Sequence, residues 1–310
     1  MKYAIISDMH GNIHAFSTVL ADAKAQGVDK FLLLGDYASS FPYGNDVVNT
    51  MRDLDACFAI RGNGEDYLID LMGCNPDALT NEQFKPIYWS YRSLSAENLI
   101  YLANLPISTK ITDSSADIHL THHMDIYFRQ PKIPLFHSEL LRQIRKTTPI
   151  THDTYLAQAK NALLSDPNTL AEMNAMPKGI YLSGHNHLQF HMFYEDKLFI
   201  NPGSCGEPLD WNTKASYTIL TVTETAWTVD ERRVRYDLDA ASEGLVASGF
   251  ANYAPMWAKI MELELHSAQD YFMPFVMHLV ATGKEMGSTS YPVNETVWQR
   301  AVATFNPANI

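Results

Sequence analysis

Short apolar runs alternate with helix-spaced apolar positions over the first 65 residues. Tyr3–Ile6 is an uninterrupted apolar run, the pattern of a parallel strand buried on both faces. Ala15–Gln26 carries Phe16, Val19, Leu20 and Ala23 at i, i+3, i+4 and i+7, with Gly27 as a helix stop. Phe31–Leu34 predicts a second strand and Cys57–Ile60 a third. Between them, Asp46–Leu54 predicts a helix through Val47, Val48, Met51 and Leu54. A β-α-β-α-β order predicts a sheet of parallel strands joined by right-handed crossovers.

Residues 66–106 predict helices. Thr80 with Gln83 fits a capping box, Ser95 with Asn98 opens the stretch Leu99–Leu102, and Pro106 ends it. Ile118–Thr121 and Ile180–Ser183 are further short apolar strands. An insert over 124–178 separates them, with helical stretches near Ser138–Arg145 and Tyr155–Leu164. The pattern then turns strand-rich: His191–Tyr194, Leu198–Ile200, Tyr217–Val222, Ala226–Val229 and Arg232–Tyr236. Residues 250–305 return to helical spacing, through Trp257, Ile260, Met261 and Leu265, then Phe272, Val276 and Leu279. Pro274 weakens the second of these helices unless it lies in the first turn. The expected division is one domain over 1–239, with helical inserts at 66–106 and 124–178. A helical extension over 240–310 follows, expected to be dispensable for the site described next.

Composition narrows the class. The chain has 310 residues, 46% hydrophobic and 19% charged, which is globular usage. Against 23 Lys and Arg stand 35 Asp and Glu, a formal net charge of −12. That balance repels phosphate backbones and anionic lipid, and it leaves room for a pocket that takes one small anion. Cys57, Cys74 and Cys205 form no CxxC pair, which fits reduced cytosolic thiols. The first apolar run is soon broken by Asp8 and His10, unlike a signal peptide. No apolar run approaches the ~18 residues of a membrane span. The expectation is a soluble cytoplasmic protein.

Each of the buried strands runs into a metal-ligand residue type. Tyr3–Ile6 leads to Asp8-Met9-His10, Phe31–Leu34 to Gly35-Asp36, and Cys57–Ile60 to Gly62-Asn63. Ile118–Thr121 leads to His122-His123, and Ile180–Ser183 to Gly184-His185-Asn186-His187. Ligands gather at the carboxyl ends of strands in an open α/β sheet, so these loops should converge. Asp8 with His10, and His185 with His187, stand at i, i+2 and can point the same way as a strand ends. Glycines at 35, 62 and 184 suit tight turns before ligands. Mixed oxygen and imidazole donors suit Mn²⁺, Fe, Zn²⁺ or Co²⁺ better than Ca²⁺ or Mg²⁺ alone. Seven donors exceed one ion and fit two if a carboxylate bridges.

This ordered set resembles the calcineurin-like metallophosphoesterase superfamily. Asp8-Met9-His10-Gly11-Asn12, Leu94–Pro106 and Asn201-Pro202-Gly203-Ser204 are most similar to its small prokaryotic phosphodiesterase branch. The resemblance covers about residues 1–237. It implies a four-layer α/β/β/α sandwich: two facing mixed β-sheets flanked by helices, here with a C-terminal helical addition. The strand-rich region 190–236 is then expected to form the second sheet. The resemblance also implies two divalent ions, Mn²⁺ first, with Fe, Zn²⁺, Co²⁺ or Ni²⁺ as alternatives. Asp8, His10 and His187 match the ligands of one ion, Asn63, His122 and His185 those of the other, and Asp36 the bridge. The implied activity is hydrolysis of phosphoesters, as a phosphodiesterase or phosphatase, by a hydroxide that two metals activate.

His122 and His123 compete for one ligand position. The family places a histidine directly after the strand, which favours His122. His123 then lies at the site edge, where it is the candidate catalytic acid. Asn12 and Arg129 are candidate substrate-binding residues, although a capping role for Asn12 and a solvated loop charge for Arg129 explain them equally simply. The remaining histidines read as structural, and Tyr88-Trp89-Ser90-Tyr91 reads as helix core before it reads as a nucleobase platform. Rival functions are a dinucleoside polyphosphate hydrolase, a protein serine/threonine phosphatase and a non-catalytic metal-binding scaffold. The protein phosphatases carry a histidine after the Gly-Asn motif, where this chain has Gly64. The expected partner is a small phosphoester or nucleotide, without stable nucleic-acid or membrane association. An oligomer is compatible with all of this.

Overall fold

The computed structural model describes residues 1–113, 116–127 and 151–309. Arg129, and the expected helix near Ser138–Arg145, lie outside the described residues. Two five-stranded mixed sheets carry the fold. The first has the order β10-β9-β1-β2-β3, from Trp227–Val234, Ala215–Val222, Lys2–Ile6, Lys30–Leu33 and Cys57–Ala59. The second has the order β4-β5-β6-β8-β7, from Ser108–Asp113, Ala116–Thr121, Gly179–Leu182, Lys197–Pro202 and Gln189–Tyr194.

Strand alternation divides each strand between two cores. Tyr3 and Ile5 point inward with Leu32, Ile118, Leu120, Ile180, Leu182 and Leu198, forming the layer between the sheets. Ala4 and Ile6 point outward, under Phe16, Val19 and Leu20 of α1 (Ile13–Ala25) and Val47, Val48 and Met51 of α2 (Gly44–Arg52). On the far side, Tyr181, Phe190 and Phe199 meet Tyr155 and Leu163 of the helix His152–Ser165 and Met173 of Pro167–Ala175. The helix–sheet–sheet–helix order is the expected sandwich.

The region after residue 190 does not form the second sheet as a unit. Only β7 and β8 join it, while β9 pairs antiparallel with β1 and carries β10 beside it. β10 is one continuous strand where the sequence suggested two. It pairs residue by residue with β9 from Trp227↔Val222 to Val234↔Ala215. β4 escaped the sequence reading because it is a polar edge strand, held by antiparallel pairing with β5. In the 66–106 region, α3 (Asn63–Asp70), α4 (Lys85–Ser93) and α5 (Ala96–Ala103) form. Ser95 caps α5 as expected, but the Thr80 capping box does not occur. Asn81 takes that place, its Oδ1 accepting from Gln83 N at 3.0 Å.

Past residue 238 the chain is helical. Pro255–Ser267, Phe272–Glu285 and Glu295–Thr304 pack around Trp257, Phe275 and Trp298, with Pro274 in the first turn of its helix. This cluster also takes in Phe41 and Trp89 from the first part of the chain. Trp89 lies 5.5 Å from Phe250 between ring centroids, so it serves the core rather than a nucleobase. Phe41 N–H donates to His10 O at 2.7 Å, which ties the segment to a candidate ligand loop. Truncation at Asp239 is therefore expected to destabilise the fold, since exposing Phe41 alone forfeits about 2 kcal/mol. Urea unfolding checks this; an unchanged midpoint would return the segment to a free appendage. Among the described residues, no helix is long and apolar enough to cross a membrane.

Candidate metal centre

β1, β2 and β3 of one sheet, and β5 and β6 of the other, end at the same edge, and their following loops converge there. His10 Nε2 lies 3.1 Å from His187 Nε2 and 3.8 Å from Asp8 Oδ1. His187 Nε2 lies 3.5 Å from Asp8 Oδ1. His122 Nε2 lies 3.4 Å from Asp36 Oδ2, and His10 Nε2 lies 3.8 Å from the same oxygen. The His185 ring stands 5.2 Å from His122 and 3.9 Å from His123 between centroids. Asp8, His10 and His187 form one compact donor group, Asp8, Asp36 and His122 a second, and His122, His123 and His185 a third.

The i, i+2 spacing does not act through strand alternation. Asp8 (φ 54°), His10 (50°), Asp36 (56°), His185 (70°) and His187 (53°) all have left-handed backbones. Non-glycine residues there are strained, and such residues cluster where a site over-determines them. Each loop turns sharply off its strand and aims its side chain at the shared edge. Gly35 and Gly62 allow two of these loops to touch. A Cβ on Gly62 would fall 2.2 Å from Asp36 Oδ1, and one on Gly35 2.5 Å from Gly62 N.

The neighbours of the imidazoles orient their donor atoms. His122 Nδ1–H donates to Leu34 O at 2.7 Å, and His187 Nδ1–H to Glu207 O at 2.5 Å, so both rings turn Nε2 inward. His10 Nδ1 lies 2.9 Å from Ser39 Oγ. Asp8 Oδ1, Asn63 Oδ1 and His122 Nε2 are buried without a hydrogen-bond partner. Buried polar atoms in this state cost free energy unless something else satisfies them. All three belong to the expected ligand set, and their N/O chemistry fits a divalent cation.

The electrostatics of the site point the same way. Burial opposes charge on His122, but Asp36, and next Asp8, more than offset it and push its pKa up to about 10. The same pairing holds Asp36 well below the usual carboxylate range despite its burial. His10 is raised against its burial by Glu207, Asp36 and Asp8. His185 is pushed down to about 2 by burial and by the neighbouring His122 and His123. A proton on His122 therefore supplies positive charge between two carboxylates where a cation would otherwise do so.

Other placements correct the sequence reading. Asn12 is 1% exposed and its side chain is spent. Its Oδ1 accepts from Ala15 N at 3.1 Å to cap α1, and its Nδ2 donates to Gly206 O at 2.8 Å. It caps α1 and holds the loop at Gly206. Glu65, adjacent to Gly64, is buried with both oxygens occupied by Asp36, Tyr37 and Gly62 N–H groups, each at 2.8 Å. Burial and the nearby Asp36 push its pKa up to about 7, yet it clamps two ligand loops and faces no leaving group. Glu65→Ala strands three buried donors and is expected to cost about 3–6 kcal/mol. A urea-unfolding loss below about 1 kcal/mol would contradict this role.

Glu207 and Ser39 escaped the sequence reading. Their proximity depends on the chain crossing from β8 in the second sheet to β9, which returns beside β1. The only sequence signal was their place just past the Asp36 and Asn201–Ser204 motifs.

The calcineurin-like phosphoesterase superfamily domain matches this chain over residues 1–225. Uncharacterized protein MJ0912 of Methanocaldococcus jannaschii is 27% identical over 269 residues, covering 82% of this chain and 94% of that protein. A metallophosphoesterase from Sphaerobacter thermophilus shares the fold with a TM-score of 0.58 at 23% identity, over 86% of this chain and 100% of its own. The hypothetical protein PH1004 from Pyrococcus horikoshii OT3 does so with a TM-score of 0.58 at 17% identity, over 84% and 97%.

Proposed function

The chain belongs to the calcineurin-like phosphoesterase superfamily, and from that premise we propose that it hydrolyses phosphoester bonds at the converged strand ends with two divalent cations. Asp8, His10 and His187 would hold one ion, Asn63, His122 and His185 the other, and Asp36 would serve both. The observation that supports this furthest is the set of buried, unpartnered donors, Asp8 Oδ1, Asn63 Oδ1 and His122 Nε2. Bound cations supply Lewis-acid stabilisation of phosphoryl oxygens and lower the pKa of water to near neutrality. The residues themselves divide the remaining work. Asp36 joins the two halves of the site, because Oδ2 faces both His122 and His10. Leu34 O and Glu207 O keep Nε2 of His122 and His187 free to bind. His123, half-buried at the rim beside His185, delivers a proton from its ring to the departing oxygen.

The substrate is a small phosphoester or nucleotide met in the cytoplasm, and Mn²⁺ is the first cation to test. The experiment is hydrolysis of a chromogenic phosphodiester with Mn²⁺ before and after chelation. It is extended to monoesters, nucleotides and dinucleoside polyphosphates. Turnover that chelation abolishes and Mn²⁺ restores is expected. No turnover with any ester in the panel would favour a metal-binding scaffold.

A further inference from the structure

Glu207 brings a carboxylate to the Asp8–His10–His187 group that the seven family-matched ligands do not include. Its turn is laced to the ligand loops. Cys205 N–H donates to Ser7 O at 2.9 Å and Gly206 N–H to Asp8 O at 3.0 Å. The Ser204 hydroxyl donates to Asp8 O at 2.7 Å and accepts from Glu207 N–H at 2.8 Å. His187 Nδ1–H closes the loop on Glu207 O. The backbone of Glu207 is thus held on both sides by residues that also hold Asp8 and His187.

Its side chain points into the site. Oε2 lies 3.7 Å from His10 Nε2, accepts from the Ser40 hydroxyl at 3.2 Å, and the side chain is 10% exposed. Donors sharing an ion with bonds of about 2.1 Å stand roughly 3–3.5 Å apart. From His10 Nε2, His187 Nε2 is at 3.1 Å, Glu207 Oε2 at 3.7 Å and Asp8 Oδ1 at 3.8 Å. Glu207 therefore stands as close to His10 as the Asp8 carboxylate does, just outside the compact Asp8–His10–His187 group.

We propose that Glu207 is a fifth donor of the Asp8–His10–His187 metal site, which Asp36 also serves, making it a site of three carboxylates and two imidazoles. This rests on the two-cation reading above. A third anionic oxygen shifts the site toward oxygen-preferring cations such as Mn²⁺. It also concentrates negative charge on this half, so the Asn63–His122–His185 half stays the more electron-poor and the better place for a phosphoryl oxygen.

Mn²⁺ titration followed by the electron paramagnetic resonance signal of free Mn²⁺ tests this without turnover. Wild type is expected to bind two ions. Glu207→Gln, of the same size, is expected to weaken one of them about tenfold or more and leave the other unchanged. Glu207→Asp keeps the charge but shortens the arm, and is expected to weaken the same ion. Ser40→Ala removes the hydroxyl that aims the carboxylate, and should weaken it by a smaller factor. Unchanged constants in Glu207→Gln overturn the assignment, and so does wild-type affinity in Glu207→Asp, which would leave only a field at a distance. If the Glu207 variants do not fold, an unchanged Mn²⁺ constant in Ser40→Ala overturns it. Wild type that binds no Mn²⁺ overturns the two-cation reading itself, a different result from two intact sites in the variants.

Discussion

Asp36→Asn is expected to lower phosphoester turnover about 10³-fold, against about 10–100-fold for Asn63→Ala. A cation's charge stabilisation contributes several kcal/mol, and each 1.36 kcal/mol is tenfold in rate. Asp36 is the larger loss because one oxygen serves both halves of the site. Oδ2 lies 3.4 Å from His122 Nε2 and 3.8 Å from His10 Nε2, while Oδ1 accepts from Gly64 N–H at 2.8 Å. Asparagine keeps the shape and can keep the Gly64 bond, yet it removes the shared negative charge. Asn63 contributes one neutral oxygen to one half. Metal content should fall from two ions to one or none in the first variant. Equal, small losses from the two substitutions would contradict the bridge.

The same substitution has a signature in the metal-free protein. There Asp36 keeps His122 charged to about pH 10. A histidine whose folded pKa exceeds its ordinary value near 6.5 contributes stability that is complete below about pH 6.5 and lost as pH rises through about 10. Asp36→Asn is expected to flatten that part of the stability profile. Metal-free urea unfolding between pH 6 and 10 measures it.

His123→Ala is expected to slow esters with poor leaving groups about 10²-fold and to change activated aryl esters little. General acid assistance supplies about 10²–10⁴-fold, and it matters most where the departing oxygen is basic. Neither residue 64 nor residue 65, beside the Gly62-Asn63 motif, supplies an acid. Residue 64 is glycine, and a Cβ there would lie 3.0 Å from both Asp36 Oδ1 and Ser39 Oγ. Gly64→His would therefore press on the bridging carboxylate and is a poor way to restore an acid. Glu65 is consumed by three backbone N–H groups. His123 stands at the rim, 3.9 Å from the His185 ring. A series of aryl esters graded by leaving-group pKa decides it. The same dependence in variant and wild type would remove His123 as the acid. Loss of one metal ion would instead make it a ligand, since its ring lies within donor range of His122 and His185.

Much of this centre was legible along the chain. Apolar runs of four residues, each ended by a metal-ligand residue type, were visible as Ile6 before Asp8 and His10 and Leu34 before Asp36. Helix α1 was visible from Phe16, Val19 and Leu20, because a helix buries one face at a period that local sequence displays. What was misread depends on partners distant in sequence. β9 resembles β7 and β8 as a strand, but it lies beside β1 because its Thr218–Thr221 ladder completes that sheet. β4 has little hydrophobic pattern of its own, and its pairing with β5 makes it a strand. For Asn12 the sequence left a capping role and a substrate role open, and the assembled fold occupies its amide with Ala15 and Gly206.

The order of the seven residues expected as ligands was therefore set by residue type at strand ends, a local property. The left-handed backbones of Asp8, His10, Asp36, His185 and His187 were not readable. Nothing in a side chain announces a positive φ outside glycine, and only the packed loops hold it there. Glu207 was invisible for a related reason. It lies nearly 200 residues from His10 in sequence. Its carboxylate reaches the site only because Cys205 and Gly206 hydrogen-bond to the end of β1, and the energy of such contacts is realised only once both sheets are assembled.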